Sequence, residues 1–600
     1  MVVEFTSATV VACGRGFSPQ RIDDVRGAFV CPSPAPTPRL KASRLSPFLM
    51  GSSMSVFARR RTRFTSALAA FSVVSVLAVS AFAAAPTSAI KTDPSKPALT
   101  QKLDQIIAAA HSGPRAAPAD DAEYLRRVYL DLAGRTPTTA EARAFLADKS
   151  AAKRTALVDI LLASSEFPLR MTDAFNAMLM ERRGEHEEWR KFLTTSFQKN
   201  APWDAMVREI IDPNDKDEQL RGAAYFAVNR LAKVGQQETD YPGLTRDVGR
   251  LFLGMDLQCA QCHNHLFISS YKQVDFQGLY TVFLNTAIRD EKFPALTENV
   301  MSKKIDFMSV FDKQPLQTGP RVPGLKEISI PSFKAGEEFL VKPDRAKKIL
   351  GVPKFSPLEA LAKEITSPDN RSFRENIVNR LWWLAMGRGL VDPLDEFHVD
   401  NQPSHPEALA ALSTEMLSRK FDMKSILREI VLSDAYARSG KWTATDVKRP
   451  ADSTYASAVA KPLSAEQMFQ SFVTATGPHD AKLTDADLRK RFISAFANPP
   501  KEPEILFAPS VKAALFLSND TKVLDLLVPA SGNLVDRLSK LSDPDALADE
   551  LYVSVLTRTP TPAEKAEIRE LLGVKTIEKK KLLGHMVWAL VSSTEFCLNH

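Results

Sequence analysis

The chain has very few cysteines for its length, five among 600 residues. Exported scaffolds that rely on disulfides use many more, so this class is excluded. Glycine and proline, at 24 and 39 residues, are too few for a collagen-like or low-complexity chain. Hydrophobic residues make up 44% and charged residues 25% of the sequence, which predicts folded globular domains for most of its length.

The sequence after residue 83 has no excess of charge of either sign. The whole chain has a formal charge of +7, from 78 basic and 71 acidic residues. Residues 1–83 hold ten basic and three acidic residues, which leaves 68 of each sign in the remainder. A body without net charge has no electrostatic footprint for a phosphate backbone, so we expect no nucleic-acid partner.

Long apolar runs are also rare, and residues 67–82 form the clearest one. Four arginines between residues 59 and 63 precede it, and a small-x-small triplet at 81–83 ends it. These features predict a secretory signal peptide over 54–83. A run of about 16 residues is short for a bilayer helix, although an uncleaved anchor is the alternative. Residues 1–53 are predicted to be a non-native extension ahead of the true start.

No later segment is apolar over 18 residues, so we predict no transmembrane span after signal cleavage. The mature protein is then expected in the exported space, either in the periplasm or at the cell surface.

The sequence lacks the short motifs of the common enzyme classes. It has no G-x-S-x-G, no H-E-x-x-H, no phosphate-binding loop and no dinucleotide fingerprint. Asp392, Asp395 and Glu396 could supply the two carboxylates of a glycoside hydrolase. Acidic residues of helical proteins are more often solvated, so this hypothesis ranks below those that follow, and whether the protein is an enzyme stays open.

One motif with specific chemistry is present, Cys-x-x-Cys-His at residues 259–263. Cys259 and Cys262 are spaced to reach one edge of a haem, and the adjacent His263 is placed to bind its iron. The motif predicts covalently bound haem c, with electron transfer as the function. A second axial ligand would come from elsewhere in the chain, and the candidates are Met255, Met301, Met308, His398 and His405.

The same residues allow other interpretations. Cys259 and Cys262 could form a disulfide, or they could be small buried residues. With His263 or His265 and a remote ligand, they could instead bind zinc or iron. These interpretations lead to the alternative function, a non-catalytic scaffold or binding protein in which the cluster is a structural metal site or a disulfide.

The spacing of apolar residues predicts a mainly α, multi-helical protein with two domains built of helical hairpins. An apolar stripe from Leu244 to Met255 predicts a helix that leads into Cys259. Prolines between residues 294 and 353 predict a small β-rich or irregular insert between the helical halves. The predicted segments are a linker at 84–118 with a short helix at 103–110, an N-terminal helical domain at 119–285, the insert at 286–355 and a C-terminal helical domain at 356–600.

Capping boxes predict three helix starts, because a hydroxyl residue is followed three positions later by an acid or an amide. They are Thr138 with Glu141, Ser404 with Glu407, and Ser464 with Gln467. The second box explains His405 without a ligand role. Trp382 and Trp383 lie near basic residues, and the preferred interpretation is a buried helix that ends at Gly387.

A hairpin pattern occurs more than once. Arg-Thr-Pro-Thr stands at 135–138 and again at 558–561, each time with a glutamate three residues later. The copies lead to similar stretches that end in phenylalanine, at 161–167 and 590–596, and a fainter copy lies at 430–436. The spacing is irregular, which indicates a repeated hairpin rather than a solenoid.

Four groups of residues occur in a characteristic order. They are Arg126 to Leu132; Phe252 to Gly254 followed by the cysteine motif; Asn379 to Trp382 with 387–391 and 403–407; and Trp588 to Leu590 with Glu595, Phe596, Asn599 and His600. The series resembles planctomycete exported proteins that join the domains of unknown function 1549, also described as cytochrome-like, and 1553. The resemblance covers roughly residues 120–600.

This resemblance implies an exported, mainly helical protein. It also implies partners among exported redox or polysaccharide-processing proteins. Two departures matter: Asn264 stands where the family usually has aspartate, and Trp383 stands where many members have histidine. An acid at position 264 would be expected to orient an imidazole, so this chain would have a weaker version of that contact.

Overall fold

The computed structural model describes residues 96–600, apart from 234, 312, 479–484, 504–509 and 575. The predicted extension at 1–53, the predicted signal peptide at 54–83 and the first part of the predicted linker lie outside the described residues. Within the described part of the chain, none of the helices has both the length and the apolar character that crossing a bilayer would require.

The N-terminal half is built from ten described helices, α1 to α10. They are Ala98–Ala110, Asp121–Leu132, Thr139–Ala147, Lys153–Ala163, Glu166–Met180, Glu187–Gln198, Trp203–Ile211, Tyr225–Leu231, Tyr241–Leu253 and Gln273–Leu284. The apolar stripe predicted to lead into the cysteine motif is confirmed as α9, with Leu244, Val248 and Leu251 buried.

Six short strands follow, β1 to β6, and confirm the β-rich insert between the helical halves. They are Thr286–Asp290, Ala295–Glu298, Ile305–Met308, Pro315–Thr318, Phe339–Val341 and Val352–Pro353. Consecutive strands pair antiparallel into three two-stranded sheets. In the second sheet Ile305 lies opposite Thr318 and Met308 opposite Pro315.

Helices α11 to α23 form the rest of the described chain and confirm the mainly α prediction. They are Pro357–Ile365, Arg371–Met386, Pro406–Ser418, Met423–Val431, Ala465–Thr476, Ala486–Phe496, Val511–Asn519, Thr521–Asp525, Leu534–Ser539, Pro544–Leu556, Pro562–Gly573, Lys579–Val591 and Thr594–Cys597. Strands β7, Lys461–Pro462, and β8, Leu598–Asn599, pair antiparallel.

Two of the three predicted capping boxes are confirmed. Thr138 and Ser464 each accept from the backbone N–H three residues on and have the side chain of that residue returning the bond. The box at Ser404 is wrong, because α13 starts one residue later and its N-cap is His405. Ser404 is held outside the helix, where its N–H donates to the Leu390 carbonyl at 2.7 Å.

The repeated hairpin is confirmed by three identical turns. Ser164, Ser433 and Ser593 each donate their hydroxyl to the carbonyl three residues before, at 2.7 Å. Each also accepts from the N–H three residues after, which belongs to a buried aromatic residue. The serine therefore ends one helix and turns the chain, and the aromatic side chain anchors the turn in the core.

Two large hydrophobic cores hold the described residues together. The first joins helices α1 to α14 with Tyr455 and Val553. The second joins the helices after residue 463 with Leu130 of α2. The change from one core to the other falls near residue 460, inside the predicted C-terminal domain.

The described part of the predicted linker contains more structure than expected. Helix α1 begins five residues before the predicted short helix, and it buries Leu99, Leu103 and Ile107. Its Thr100 hydroxyl donates to the Glu429 carboxylate at 2.6 Å. An apolar stripe and a buried hydrogen bond therefore dock this segment against α14.

Residues 596–600 pack against α2 near the start of the described chain. Arg126 is 2% exposed and donates to the Phe596 carbonyl at 2.7 Å. Arg127 donates to the His600 carbonyl at 3.2 Å. Arg126 thus takes all its described acceptors from residues 555–598, whereas Arg127 also donates to the Tyr436 and Arg438 carbonyls and to Glu123.

Candidate functional site

The cysteine motif forms a short turn after α9. The helix ends at Gly254, which has the left-handed φ of 71° that glycine adopts without strain. The Asp256 N–H then donates to the Asp395 carbonyl at 2.9 Å. Cys259–Gln261 follow as a single 3-10 turn.

Helix α10 and the insert hold this turn in place. The Gln277 side-chain amide donates to the Gln261 carbonyl at 2.9 Å, and the Val310 N–H donates to the Cys262 carbonyl at 3.1 Å. Ala260 is buried in a small cluster with Leu257, Tyr271 and Phe276. Cys259 and Cys262 themselves are exposed and free. The turn is therefore fixed from its inner side, and both thiols are accessible.

The His263 ring has a defined proton arrangement. Its Nδ1 lies 2.7 Å from the Asn264 carbonyl oxygen. A carbonyl can only accept, so Nδ1 carries the proton, and the lone pair of neutral His263 is on Nε2. Imidazoles that bind metals use this arrangement, in which one nitrogen donates to a carbonyl and the other binds the metal.

His265 has the opposite arrangement. Its Nδ1 accepts from the N–H groups of Phe267, at 3.2 Å, and Ile268, at 2.9 Å. The neutral ring therefore carries its proton on Nε2 and has no lone pair left to offer. Among the described residues, no three His, Cys, Asp or Glu side chains lie close enough together to hold a metal ion. Of the two predicted histidines, the geometry favours His263 as a ligand.

Asn264 supports the turn through α10. Its side-chain oxygen accepts from the Gln273 N–H, the first residue of α10, at 2.9 Å. The N-cap residue of that helix, Lys272, makes no capping bond with its side chain. Asn264 thus provides part of the cap of α10 with its side chain. Its contact with the His263 imidazole is made by its backbone carbonyl and not by the side chain at the position where the family usually has aspartate.

Exposed apolar side chains lie near the cysteine turn. Phe267 is 85% exposed and Phe311 64% exposed. The Phe311 ring centroid lies 4.7 Å from that of His263. Leu266, Met308 and Val310 are also more than half exposed. We call these five residues the apolar rim. Solvent-exposed groups of large apolar residues mark surfaces that a ligand or a partner covers.

The five candidates for a second axial ligand separate into two groups. Met255 and Met301 pack inward, and His405 is buried beside Tyr455. Met308 and His398 lie near the turn, since Met308 belongs to the apolar rim and His398 packs edge-on against Tyr271 at 5.8 Å.

Two of the three carboxylates proposed for hydrolysis form ion pairs with arginines. Asp395 pairs with Arg380 and, at 3.0 Å, with Arg250. Asp392 pairs with Arg388 at 2.5 Å. Both aspartates are engaged in ion pairs within the protein, so this geometry does not favour the hydrolase hypothesis.

The preferred interpretation of the tryptophans is confirmed for Trp382, which is fully buried in a helix ending before Gly387. Trp383 is different, because it lines a cavity of about 200 Å³ that is partly open to solvent. Four residues of the characteristic motif series also line this cavity, namely Asp131, Arg380, Gly387 and Asn599. No local sequence pattern predicts that these four residues lie together.

One loop touches both the cavity and the cysteine turn. Leu394 and Asp395 line the cavity, and Asp395 accepts from the Asp256 N–H just before the turn. Phe397 accepts from the Tyr271 hydroxyl at 3.1 Å. Burial raises the pKa of Tyr271, with further contributions from Asp256 and Glu396, so this hydroxyl stays a donor.

Comparison with known protein families finds two matches along the chain. Residues 102–288 match the PSCyt2 family, a protein of unknown function (DUF1549), and include the cysteine turn. Residues 359–502 match the PSD1 family, a protein of unknown function (DUF1553), and include Arg380 and Asp395. No curated protein and no solved structure matches the chain. The chain therefore belongs to the proteins that combine a DUF1549 domain with a DUF1553 domain.

Proposed function

We propose that the protein is an exported electron-transfer protein that carries haem c on the turn formed by Cys259, Cys262 and His263. The single observation that carries the proposal is the geometry of this turn. Two free, exposed thiols precede an imidazole whose Nδ1 proton is already engaged. The haem would supply one-electron chemistry at its iron.

The two thiols fit covalent attachment. Each S–H bond would add across a vinyl group, so that a C–S bond forms and the proton goes to the neighbouring vinyl carbon. The addition needs no oxidant or reductant. Cys259 and Cys262 are exposed, so both sulfurs are accessible for it.

His263 and the apolar rim fit two further requirements of haem binding, an iron ligand and an apolar surface for the porphyrin. The Asn264 carbonyl fixes the ring with its Nε2 lone pair unused. Exposed apolar side chains such as Phe311 and Val310 provide surface that a porphyrin would cover. The position at the protein surface favours electron exchange with an exported redox partner.

The test is expression with residues 54–600 in a bacterial host that has a c-type haem attachment system. We expect a red protein with a Soret band, a mass increased by one haem, and a positive pyridine-haemochrome assay. Replacing both Cys259 and Cys262 by alanine should abolish the covalent haem. The matched control is Cys597→Ala, since Cys597 lies outside the motif and burial raises its pKa to about 11.

A colourless protein without added mass would contradict the proposal. Elemental analysis of that protein then separates the alternatives. Zinc or iron lost in the double cysteine variant would indicate a structural metal site, and neither metal nor haem would leave the scaffold or binding protein with free or disulfide-bonded cysteines. A haem that remains on the double variant would also count against attachment at this turn.

A further inference from the structure

The cavity lined by Trp383 contains many charged residues. Nine of the residues that line it are ionisable: Asp131, Asp173, Glu181, Asp395, Glu466, Arg170, Arg250, Arg380 and Lys461. The rest of the wall is mostly apolar and includes Trp383, Leu384 and Met178. A partly enclosed space with apolar walls and a few polar groups is the usual form of a small-molecule site.

Every carboxylate in the wall is paired with a cation. Asp131 accepts from Lys461 at 2.7 Å, from Tyr436 at 2.8 Å and from Asn599 at 2.9 Å. The other four pair with arginines: Asp173 with Arg190 and Arg489, Glu181 with Arg250, Asp395 with Arg250 and Arg380, and Glu466 with Arg182. The acids of the wall are thus satisfied and have no need of a cationic ligand.

Arg170 of α5 is the exception among the cations of the wall. It is 7% exposed, and the described part of the chain offers it neither a hydrogen bond nor an ion pair. Its Nε is buried without an acceptor. A buried charge is costly unless it is paired, so an unpaired guanidinium at a cavity wall indicates a missing anion.

The aliphatic part of the Arg170 side chain packs closely against Gly134. Gly134 has a φ of 77°, and an added Cβ there would be 3.0 Å from the Arg170 Cδ. Burial lowers the pKa of Arg170, against the opposing effect of Asp131, Asp173 and Glu466. The charged form is therefore less stable in the folded protein than in water, as expected for a buried cation that forms no ion pair.

We propose that this cavity binds a small organic monocarboxylate, with its carboxylate paired to Arg170 and its apolar body against Trp383. Guanidinium and carboxylate groups match in a planar, two-point contact. The three carboxylates near Arg170 would repel a second negative charge, which favours a monoanion over phosphate. The site does not involve the cysteine turn and stands whether or not haem is bound.

The test compares sodium benzoate, its uncharged counterpart benzamide and inorganic phosphate in thermal unfolding of the exported chain. We expect about 20 mM benzoate to raise the Tm by about 2 °C or more, and benzamide and phosphate to raise it much less. Acetate and cyclohexanecarboxylate extend the panel to smaller and non-planar bodies. Equal effects of benzoate and benzamide, or no effect of any carboxylate in the panel, would overturn the proposal.

Arg170→Met gives the second measurement. The unliganded variant should be at least as stable as the wild type, because it removes a buried unpaired charge, and it should lose the response to benzoate. A structural role for Arg170 predicts the reverse, a lower Tm with the response retained. The control is Arg371→Met on the exposed start of α12, where the side chain is 77% exposed, and it should keep the full response.

If Arg170→Met does not accumulate in folded form, Trp383→Leu provides an independent variant. It keeps the cation and removes the aromatic wall, so the benzoate response should weaken while the acetate response remains. An unchanged benzoate response in this variant would contradict the proposed position of the apolar body.

Discussion

Arg135 and Arg558 make the same set of hydrogen bonds in two distant hairpins. Nη1 and Nη2 of Arg135 bind Glu141, while Nε and Nη2 bind Glu166. The same atoms of Arg558 bind Glu564 and Glu595. Each guanidinium also lies over a tyrosine ring, at 5.2 Å from Tyr129 and 5.3 Å from Tyr552. The two hairpins are therefore equivalent in their contacts as well as in their sequence.

Replacement of either arginine by methionine should destabilise the protein. We expect a loss of about 2 kcal/mol for Arg135→Met, because two partly buried glutamates lose their shared cation. Arg558→Met should cost about 1 kcal/mol, since Arg558 is more exposed and more screened. Urea unfolding followed by circular dichroism measures both values.

The control for these variants is Arg569→Met, which removes an ion pair between two half-exposed side chains, Arg569 and Asp545. It should leave the unfolding midpoint unchanged. A loss for Arg135→Met that is no larger than that of the control would show that the contacts of Arg135 with Glu141 and Glu166 contribute nothing to stability.

Gly254→Ala should disturb the loop that joins the cavity to the cysteine turn. An added Cβ would lie 2.5 Å from the Phe397 ring, and the φ of 71° disfavours alanine. We expect a loss of about 3 kcal/mol in the free energy of unfolding. Gly235→Ala is matched in φ, at 64°, but has open space around the new Cβ, so it should lose only about 1 kcal/mol. Equal losses would refute the steric contribution of Phe397.

The cap that Asn264 provides to α10 can be tested with two substitutions. Asn264→Ala removes the acceptor for the Gln273 N–H and should cost about 1 kcal/mol. Asn264→Asp keeps the acceptor and adds a negative charge at a helix N-terminus, which should stabilise the protein by about 0.5 kcal/mol at low salt. High salt should reduce that gain. An aspartate variant less stable than the wild type would contradict this role.

Asp212 should make stability depend on pH. Burial and the nearby Glu298, Glu359 and Glu209 raise its pKa from 3.8 to about 6. The folded protein then holds the proton more tightly than the unfolded chain, so the free energy of unfolding falls as the pH rises from about 4 to about 6. Asp212→Asn should remove this fall and gain about 2 kcal/mol at pH 8, with little gain at pH 4.

Urea unfolding at pH 4, 6 and 8 measures the effect of Asp212→Asn. The control is Asp525→Asn, at an exposed position on α18. It should leave the free energy of unfolding unchanged at each pH. A gain that does not grow with pH would show that the raised pKa of Asp212 does not act on stability.

Local patterns in the sequence predicted much of the architecture. The stripe of α9, the boxes at Thr138 and Ser464 and the turns at Ser164 and Ser593 all depend on residues within a few positions of each other. Such signals can be read directly along the chain. The exposed cysteine turn could likewise be located from its own five residues, although the tautomers of His263 and His265 follow from backbone groups that only the fold places.

The cavity could not be predicted, because its contacts join distant segments. Asp131 accepts hydrogen bonds from Tyr436, Lys461 and Asn599. From the sequence alone, each of these polar residues could equally lie on the solvated surface. No sequence pattern marks Arg170 either, because what distinguishes it is the absence of an ion-pair partner among the described residues, which only the fold shows. The wrong capping box at Ser404 has a similar origin: the Leu390 carbonyl, 14 residues before Ser404 in the sequence, accepts from the Ser404 N–H and holds this residue outside the helix.

The contacts of Arg126 and Arg127 with residues 596–600 have a consequence for biosynthesis. A ribosome makes α2 early, yet the described carbonyl acceptors of Arg126, on Val555, Glu595, Phe596 and Leu598, are made more than 400 residues later. Nascent α2 must therefore remain hydrated or be shielded by a chaperone, and ribosome-bound chains arrested before residue 596 should be sensitive to protease there.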